Sequence, residues 1–201
     1  AKYPNNNWYA TATISNAICQ GEVLLTPIQM ANFTAAIANR GWRVRPHMIK
    51  NIQDHDTIAK AFEYKNKTSI DPKYFEPIIE GMHDVYRDGT ASFLEIPDIE
   101  ICGKTGTAEN FKKINGSVKQ LTDHSVFVAF APKDNPKIAI AVFVENGYWG
   151  ARWAGRIASL MIEKYIKGEI TRTDMEAFVL NGSLEEEYNK PYAGKPFKIN
   201  Q

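Results

Sequence analysis

Cysteine is scarce: the 201 residues contain two, Cys19 and Cys102. They stand too far apart for a Cys-x-x-Cys redox motif or a zinc knuckle. Buried thiols are the default for such residues. A disulfide between them is left open, so cysteine assigns no redox compartment. The four histidines, His47, His55, His83 and His124, show no ligand-like spacing, which argues against a metal site. Neither sign of charge dominates: 24 basic residues stand against 23 acidic ones, a net charge of +1. Bulk attraction to nucleic acid is therefore not expected. No apolar run approaches the roughly 20 residues of a membrane span. The opening Ala1-Lys2-Tyr3-Pro4-Asn5-Asn6-Asn7 is polar and has no initiator Met, so it is neither a signal peptide nor an ordinary start. It reads as a cut inside a longer protein, and missing targeting segments then say nothing about where that protein resides. Repeats and low-complexity runs are also lacking.

What remains is ordinary for a folded domain, with 44% hydrophobic and 23% charged residues. Residues 1–22 read as loop. Thr26-Pro27 opens a helix, with a capping hydroxyl and then proline at the first helical position. Ile28, Ala31, Ala35 and Ala38 supply its apolar face, and Gly41 caps it. Residues 42–52, broken by Pro46, read as an edge strand or extended loop. Asp71-Pro72 opens a second helix with Tyr74, Ile78, Met82 and Val85 on one side, and Asp88-Gly89 ends it. Ile99–Thr107 is strand-like. A polar, Lys-rich stretch from Phe111 to Asp123 separates it from two strands, Ser125–Ala131 and Lys137–Glu145. The turn-rich loop between these two predicts a hairpin, and their nearly unbroken apolar character predicts cover on both sheet faces. Gly150 precedes a last helix, from about Ala151 to Lys167, with Ile157, Leu160, Met161, Lys164 and Tyr165 as its stripe. A short helix near Asp174–Leu180 falls in residues 171–201, which otherwise read as a tail beyond a domain of residues 1–170. The order implies an α+β fold, an antiparallel sheet packed by helices.

Lys104-Thr105-Gly106-Thr107 is the cluster with chemistry in it. On a strand bordering an acyl-transfer site, the Lys104 ammonium offers charge and donors to a carboxylate. The Thr105 and Thr107 hydroxyls can donate to the same group. Gly106 removes a side chain where a ligand backbone approaches. The strand edge can pair with an extended peptide, and a backbone N–H there can serve an oxyanion hole. Average residue usage gives the tetrapeptide by chance in roughly one 200-residue chain in a few hundred, so its surroundings decide its meaning. Taken alone, an exposed turn of small polar residues is an equal reading.

Three further segments supply that context. Lys104-Thr105-Gly106 is a signature of penicillin-binding proteins and class A β-lactamases. Gln20-Gly21-Glu22-Val23-Leu24-Leu25-Thr26-Pro27-Ile28-Gln29-Met30-Ala31 resembles the helix start of class B penicillin-binding proteins. Gly81-Met82-His83-Asp84-Val85, then Gly89-Thr90-Ala91, resembles their segment upstream of the motif. Asp123-His124-Ser125 through Phe130-Ala131-Pro132, then Val144-Glu145-Asn146-Gly147, resembles their strand pair. The resemblance covers about residues 10–167 and is greatest to the penicillin-binding protein 2 group. One departure is Cys19, where the family often has glycine.

The resemblance implies part of the penicillin-binding transpeptidase (serine β-lactamase-like) fold. It also implies a serine D,D-transpeptidase that cross-links peptidoglycan stem peptides during cell-wall elongation and is acylated by β-lactams. Lys104, Thr105, Gly106 and Thr107 would bind substrate. A membrane-anchored parent on the periplasmic face is implied, with partners in the elongation machinery including a glycosyltransferase, and no cofactor. The catalytic pair is missing: after Ser15, Ser69, Ser92, Ser117, Ser125, Ser159 and Ser183 the third residue on is never Lys. No Ser-x-Asn occurs, and Tyr3-Pro4-Asn5 mimics its Tyr variant by chance. The expectation is a fragment that is inactive alone. A serine β-lactamase or β-lactam sensor domain shares the motif, and a non-catalytic peptide-binding module is the reading that the missing serine favours. Among secondary candidates, His124 is placed at a strand end, Glu109 and Asn110 near the groove, Lys112, Lys113 and Lys119 in solvent, and Trp149 and Trp153 as packing anchors.

Overall fold

The computed structural model describes residues 8–17, 20–21, 23–48 and 62–188. Cys19, His55 and Tyr3-Pro4-Asn5 lie outside the described residues. The first element is α1 (Ala10–Ala17), inside the stretch read as loop. Local bonds explain it. Tyr9 O accepts from Ala12 N, and the Asn16 side chain donates to Ala12 O. Its polar residues sit on a helix that buries little beyond Ala12, so no apolar period announced it.

Helix α2 (Pro27–Ala38) starts as expected. Thr26 caps Gln29 N, and the Gln29 side chain returns to Thr26 N, a reciprocal capping box. Gly41, at φ +104°, donates to Ala36 O beyond its end. The face differs from expectation: Thr34, Ala36 and Ala38 are buried, whereas Ile28 is exposed. Two short strands, β1 (Trp42–Arg43) and β2 (Asn66–Lys67), then pair antiparallel.

Asp71-Pro72 opens a single 3₁₀ turn (Pro72–Tyr74) rather than the helix itself. Helix α3 (Glu76–Arg87) follows. Its buried line is Ile79, Met82 and Tyr86, while Tyr74 and Ile78 are exposed. Pro77 in its first turn fits the helix start. Met82 of the expected stripe is buried and Val85 packs against the core, so the stripe holds in the second half of the helix and fails at Ile78, where Ile79 faces inward instead.

Three strands form the main sheet in the order β3-β4-β5, all antiparallel. They are β3 (Cys102–Ile114), β4 (Ser117–Ala131) and β5 (Ile138–Val144). The polar stretch Phe111–Asp123 does not separate strands. It is the far arm of one long β3–β4 hairpin, turned at Asn115-Gly116 with both residues at positive φ. Asn-Gly is the strongest short hairpin signal, and it overrides the stretch's polarity because the arm is solvated. The β4–β5 hairpin stands as expected.

Both faces of β4 are covered. Phe127, Ala129 and Ala131 pack with Leu94, Ala154, Ala158 and Ile162. Phe130 points the other way, joining Cys102 with Ala38, Phe75, Ile79 and Met82. The period of two delivers one residue set to each layer. A five-residue π turn (Ala151–Gly155) leads into α4 (Arg156–Lys167), which Gly168 ends at φ +85°. Its buried residues are Ala158, Ser159, Leu160, Ile162 and Glu163, and Met161 and Tyr165 of the expected stripe are exposed. The π turn shifts the phase between residues 151 and 156. Helices α5 (Thr173–Asn181) and α6 (Glu185–Tyr188) follow. Arg172 pairs with buried Glu163 at 3.0 Å, and Glu187 is buried against Arg152 and Trp153.

Candidate functional site

Strand β3 is an outer strand, and among the described residues no strand pairs with its other edge. Lys104 pairs with Val128 in register, Thr105 with Phe127, Gly106 with Val126 and Thr107 with Ser125. The four predicted residues are thus adjacent on one exposed edge. Lys104 and Thr107 are exposed, and Thr105 and Gly106 are half-buried. Side chains alternate, so Lys104 and Gly106 belong to one face and Thr105 and Thr107 to the other.

Each position has local support. Lys104 Nζ donates to Thr105 O at 2.8 Å, which holds the ammonium over the strand edge. Thr105 Oγ1 lies 3.1 Å from Thr90 Oγ1, tying the motif to the Gly89-Thr90-Ala91 turn after α3. Thr107 Oγ1 accepts from Gly150 N at 3.2 Å. A Cβ on Gly106 would lie 3.3 Å from Val126 Cβ, tighter than ordinary contact. A Cβ on Gly150 would meet Gly106 O at 2.4 Å and Gly106 N at 2.8 Å, so the start of the π turn sits directly on the motif backbone.

Residues that the sequence reading did not assign to the site also converge here. Gln20 Nε2 donates to Thr107 O at 2.8 Å, and Gln20 Oε1 accepts from Glu109 N at 3.1 Å. The signal for it was present in the Gln20-Gly21 segment, but spacing alone gives no fold-back onto a strand 87 residues away. Thr90 and Gly150 were read only as part of a segment and as a helix start.

Ser125, across from Thr107, is the serine to weigh as a nucleophile. It is fully buried; its Oγ lies 3.0 Å from the carbonyls of Trp149 and Gly150 and accepts from Ala154 N at 3.1 Å. A hydroxyl so occupied and shut from solvent is structural. His124 accepts on Nδ1 from Asn146 N at 3.1 Å and packs its ring on Phe143, which leaves Nε2 as the protonated nitrogen of the neutral ring. Asn110 donates to Asn146 Oδ1 and Thr122 O, locking β3 where its register shifts between Ala108 and Asn110. Glu109 is exposed, as are Lys112, Lys113 and Lys119 on the hairpin arm. Trp153 is buried and donates to Glu187, while Trp149 is partly exposed.

Strongly shifted titrations lie off the motif edge. Burial pushes the Cys102 thiol up to about 12, so it is inert packing. Burial also raises the Tyr86 hydroxyl well above its usual range. A cavity of about 390 Å³ lies between α3 and residues 95–101, lined by His83, Tyr86, Arg87 and Glu95 among others, none of them motif residues. Among the described residues no group of His, Cys, Asp or Glu could hold a metal ion, and no helix is long and apolar enough to cross a membrane. The edge can therefore bind and orient an extended, anionic ligand, but the described residues include no activated nucleophile beside it.

Comparison with known proteins fits this geometry. The penicillin binding protein transpeptidase domain family matches residues 1–163. The peptidoglycan D,D-transpeptidase MrdA of Acinetobacter baumannii is 37% identical over 155 residues, covering 72% of this chain and 23% of the relative. PbpA of Mycobacterium tuberculosis, also named a peptidoglycan D,D-transpeptidase, is 32% identical over 163 residues, 76% of this chain and 32% of the relative. Among solved structures, penicillin-binding protein 2 of Helicobacter pylori in complex with MreC superposes with a TM-score of 0.62 at 27% identity, over 82% of this chain and 29% of that one. An imipenem acyl-enzyme complex of M. tuberculosis penicillin-binding protein A gives 0.59 at 28% identity, over 73% and 32%. The chain spans about a quarter to a third of the length of these relatives.

Proposed function

We propose, from the premise that the chain belongs to the penicillin-binding protein transpeptidase domain family, that it is the substrate-orienting part of a peptidoglycan D,D-transpeptidase. Residues 1–170 are then the C-terminal part of the transpeptidase domain, and residues 171–201 follow as a C-terminal extension rather than the loose tail expected, since Arg172 bonds back to Glu163 and the buried Glu187 to Arg152 and Trp153. The observation that carries the reading is the outer edge of β3, which gathers Lys104, Thr105, Gly106 and Thr107 with no strand beside them among the described residues.

In this reading the nucleophilic serine and its lysine base come from sequence outside the chain. The serine oxygen attacks the carbonyl carbon of the penultimate D-Ala of a stem peptide. The D-Ala–D-Ala bond breaks, its nitrogen takes the serine proton, and D-Ala leaves. An amine of a second stem then attacks the acyl-serine, forming the cross-link and regenerating the hydroxyl. Lys104 meets the terminal carboxylate with its charge. The Thr105 and Thr107 hydroxyls complete that contact. The Thr107 N–H, on the same edge as its carbonyl, serves the developing oxyanion. β-Lactams mimic the dipeptide and acylate the same serine. Stem peptides, β-lactams and elongation proteins, a glycosyltransferase among them, are the partners of the whole protein. The whole protein is anchored in the cytoplasmic membrane with this part on its periplasmic face.

The test is acylation of the longer protein by penicillin after Lys104→Ala. Loss of a charge-assisted bond to the carboxylate is expected to slow acylation about 10- to 100-fold. An unchanged rate would remove Lys104 from the substrate site and leave the β3 edge without its main anchor.

A further inference from the structure

The free edge of β3 is occupied by this chain's own side chains. In an antiparallel strand the N–H and C=O of one residue point to the same side, and residues two apart share that side. Thr105, Thr107 and Glu109 face outward here, because their outer groups are the ones bonded by Lys104 Nζ, Gln20 Nε2 and Gln20 Oε1. A primary amide carries one acceptor and two donors. Set against Thr107 O and Glu109 N at 2.8 and 3.1 Å, the Gln20 amide supplies the donor and the acceptor that one residue of an added parallel strand would present to the same two groups.

Gln20 is presented from a fixed base. Its N–H donates to Ser15 O at 2.9 Å, and Ser15 Oγ donates to Gln20 O at 2.9 Å. A Cβ on Gly21 would lie 2.2 Å from Asn16 Cγ, so the chain turns tightly against the end of α1. Both Gln20 bonds to β3 are solvent-exposed, so the amide can exchange them for water without leaving a buried group unpaired.

We propose that Gln20 is a displaceable edge plug, and that an extended peptide adding to β3 must take the Thr107 O and Glu109 N positions from it. The inference rests on the reading of the β3 edge as a peptide site. It makes Gln20 a specificity-determining residue. Ligands that gain two backbone bonds in return bind well, and ligands with no peptide group to offer there lose to the intramolecular amide. The plug also keeps the edge from pairing with another chain when no substrate is present.

The test uses the longer protein that carries the nucleophile. Diacetyl-Lys-D-Ala-D-Ala competes with a fluorescent penicillin for acylation, in the unaltered protein and in Gln20→Ala. The plug predicts that Gln20→Ala lowers the peptide concentration for half-inhibition about three- to tenfold, the equivalent of removing one or two exposed bonds. Gln20→Glu keeps the size but sets a carboxylate against Thr107 O, and the same direction of change is expected. An unchanged or raised half-inhibition concentration in a variant that still labels would overturn the plug and make Gln20 a fixed wall of the groove. Failure of the unaltered protein to label at all would instead overturn the transpeptidase reading, and the plug with it.

Discussion

Two glycines carry much of the site's geometry, and one buried carboxylate ties α4 to the segment that follows it. Gly150 lies so close to Gly106 that any side chain must push backbone, not a flexible chain end. Gly150→Ala is expected to destabilise the fold by about 1–3 kcal/mol and to displace β3. A urea midpoint unchanged from the parent would contradict the contact. Glu163 is fully buried. Burial raises its affinity for a proton, but bonds from Thr171 and Arg172 outweigh burial and hold its carboxyl below the usual range. Its folded pKa is therefore below the unfolded value of about 4.3. The stabilisation is complete above that value and is lost as pH falls through the folded one. Glu163→Gln should flatten the acid limb of a stability profile taken between about pH 7 and about pH 3; an acid limb as steep as the parent's would sink the assignment. None of this was legible from spacing. Gly150 was read as a helix start because a glycine before a helix is ordinary, and its close approach to Gly106 is set by packing between elements 44 positions apart in the sequence.

At the scale of elements, capping chemistry was the most readable signal and periodicity the least. Thr26-Pro27 and Asp88-Gly89 marked real boundaries, because caps are satisfied within a few residues. The buried faces of α2, α3 and α4 each kept an expected residue, Ala38, Met82 and Leu160, but differed in others, since tertiary neighbours choose the face and several large apolar residues stay exposed: Ile28, Ile78, Tyr165. The β4–β5 pair was legible because both strands are apolar on both faces. The arm from Phe111 to Gln120 was missed because solvated strands carry no apolar run, although Asn115-Gly116 marked its turn. That arm is separable from the site. Gly116→Val, at φ +82°, is expected to cost about 1–2 kcal/mol locally. Amide exchange should quicken in residues 111–120 while Lys104 and Gly106, whose N–H groups face β4, keep their protection. Equal loosening of both ends would show the hairpin to be one cooperative unit.

The whole molecule is a sheet sandwiched by helices, with one edge chemically equipped and left unpaired by any strand among the described residues. The Lys104-Thr105-Gly106-Thr107 edge was readable in advance because a contiguous motif survives any packing. Gln20 was not, because its partner strand lies far along the chain. In the proposed function this part orients substrate for a serine it does not contain. The measurement that tests it most directly is labelling by a fluorescent penicillin, comparing this chain with the protein extended upstream through its first Ser-x-x-Lys. Labelling of the extended protein alone is expected. Labelling of this chain by itself would contradict the missing nucleophile, and labelling of neither would contradict the transpeptidase.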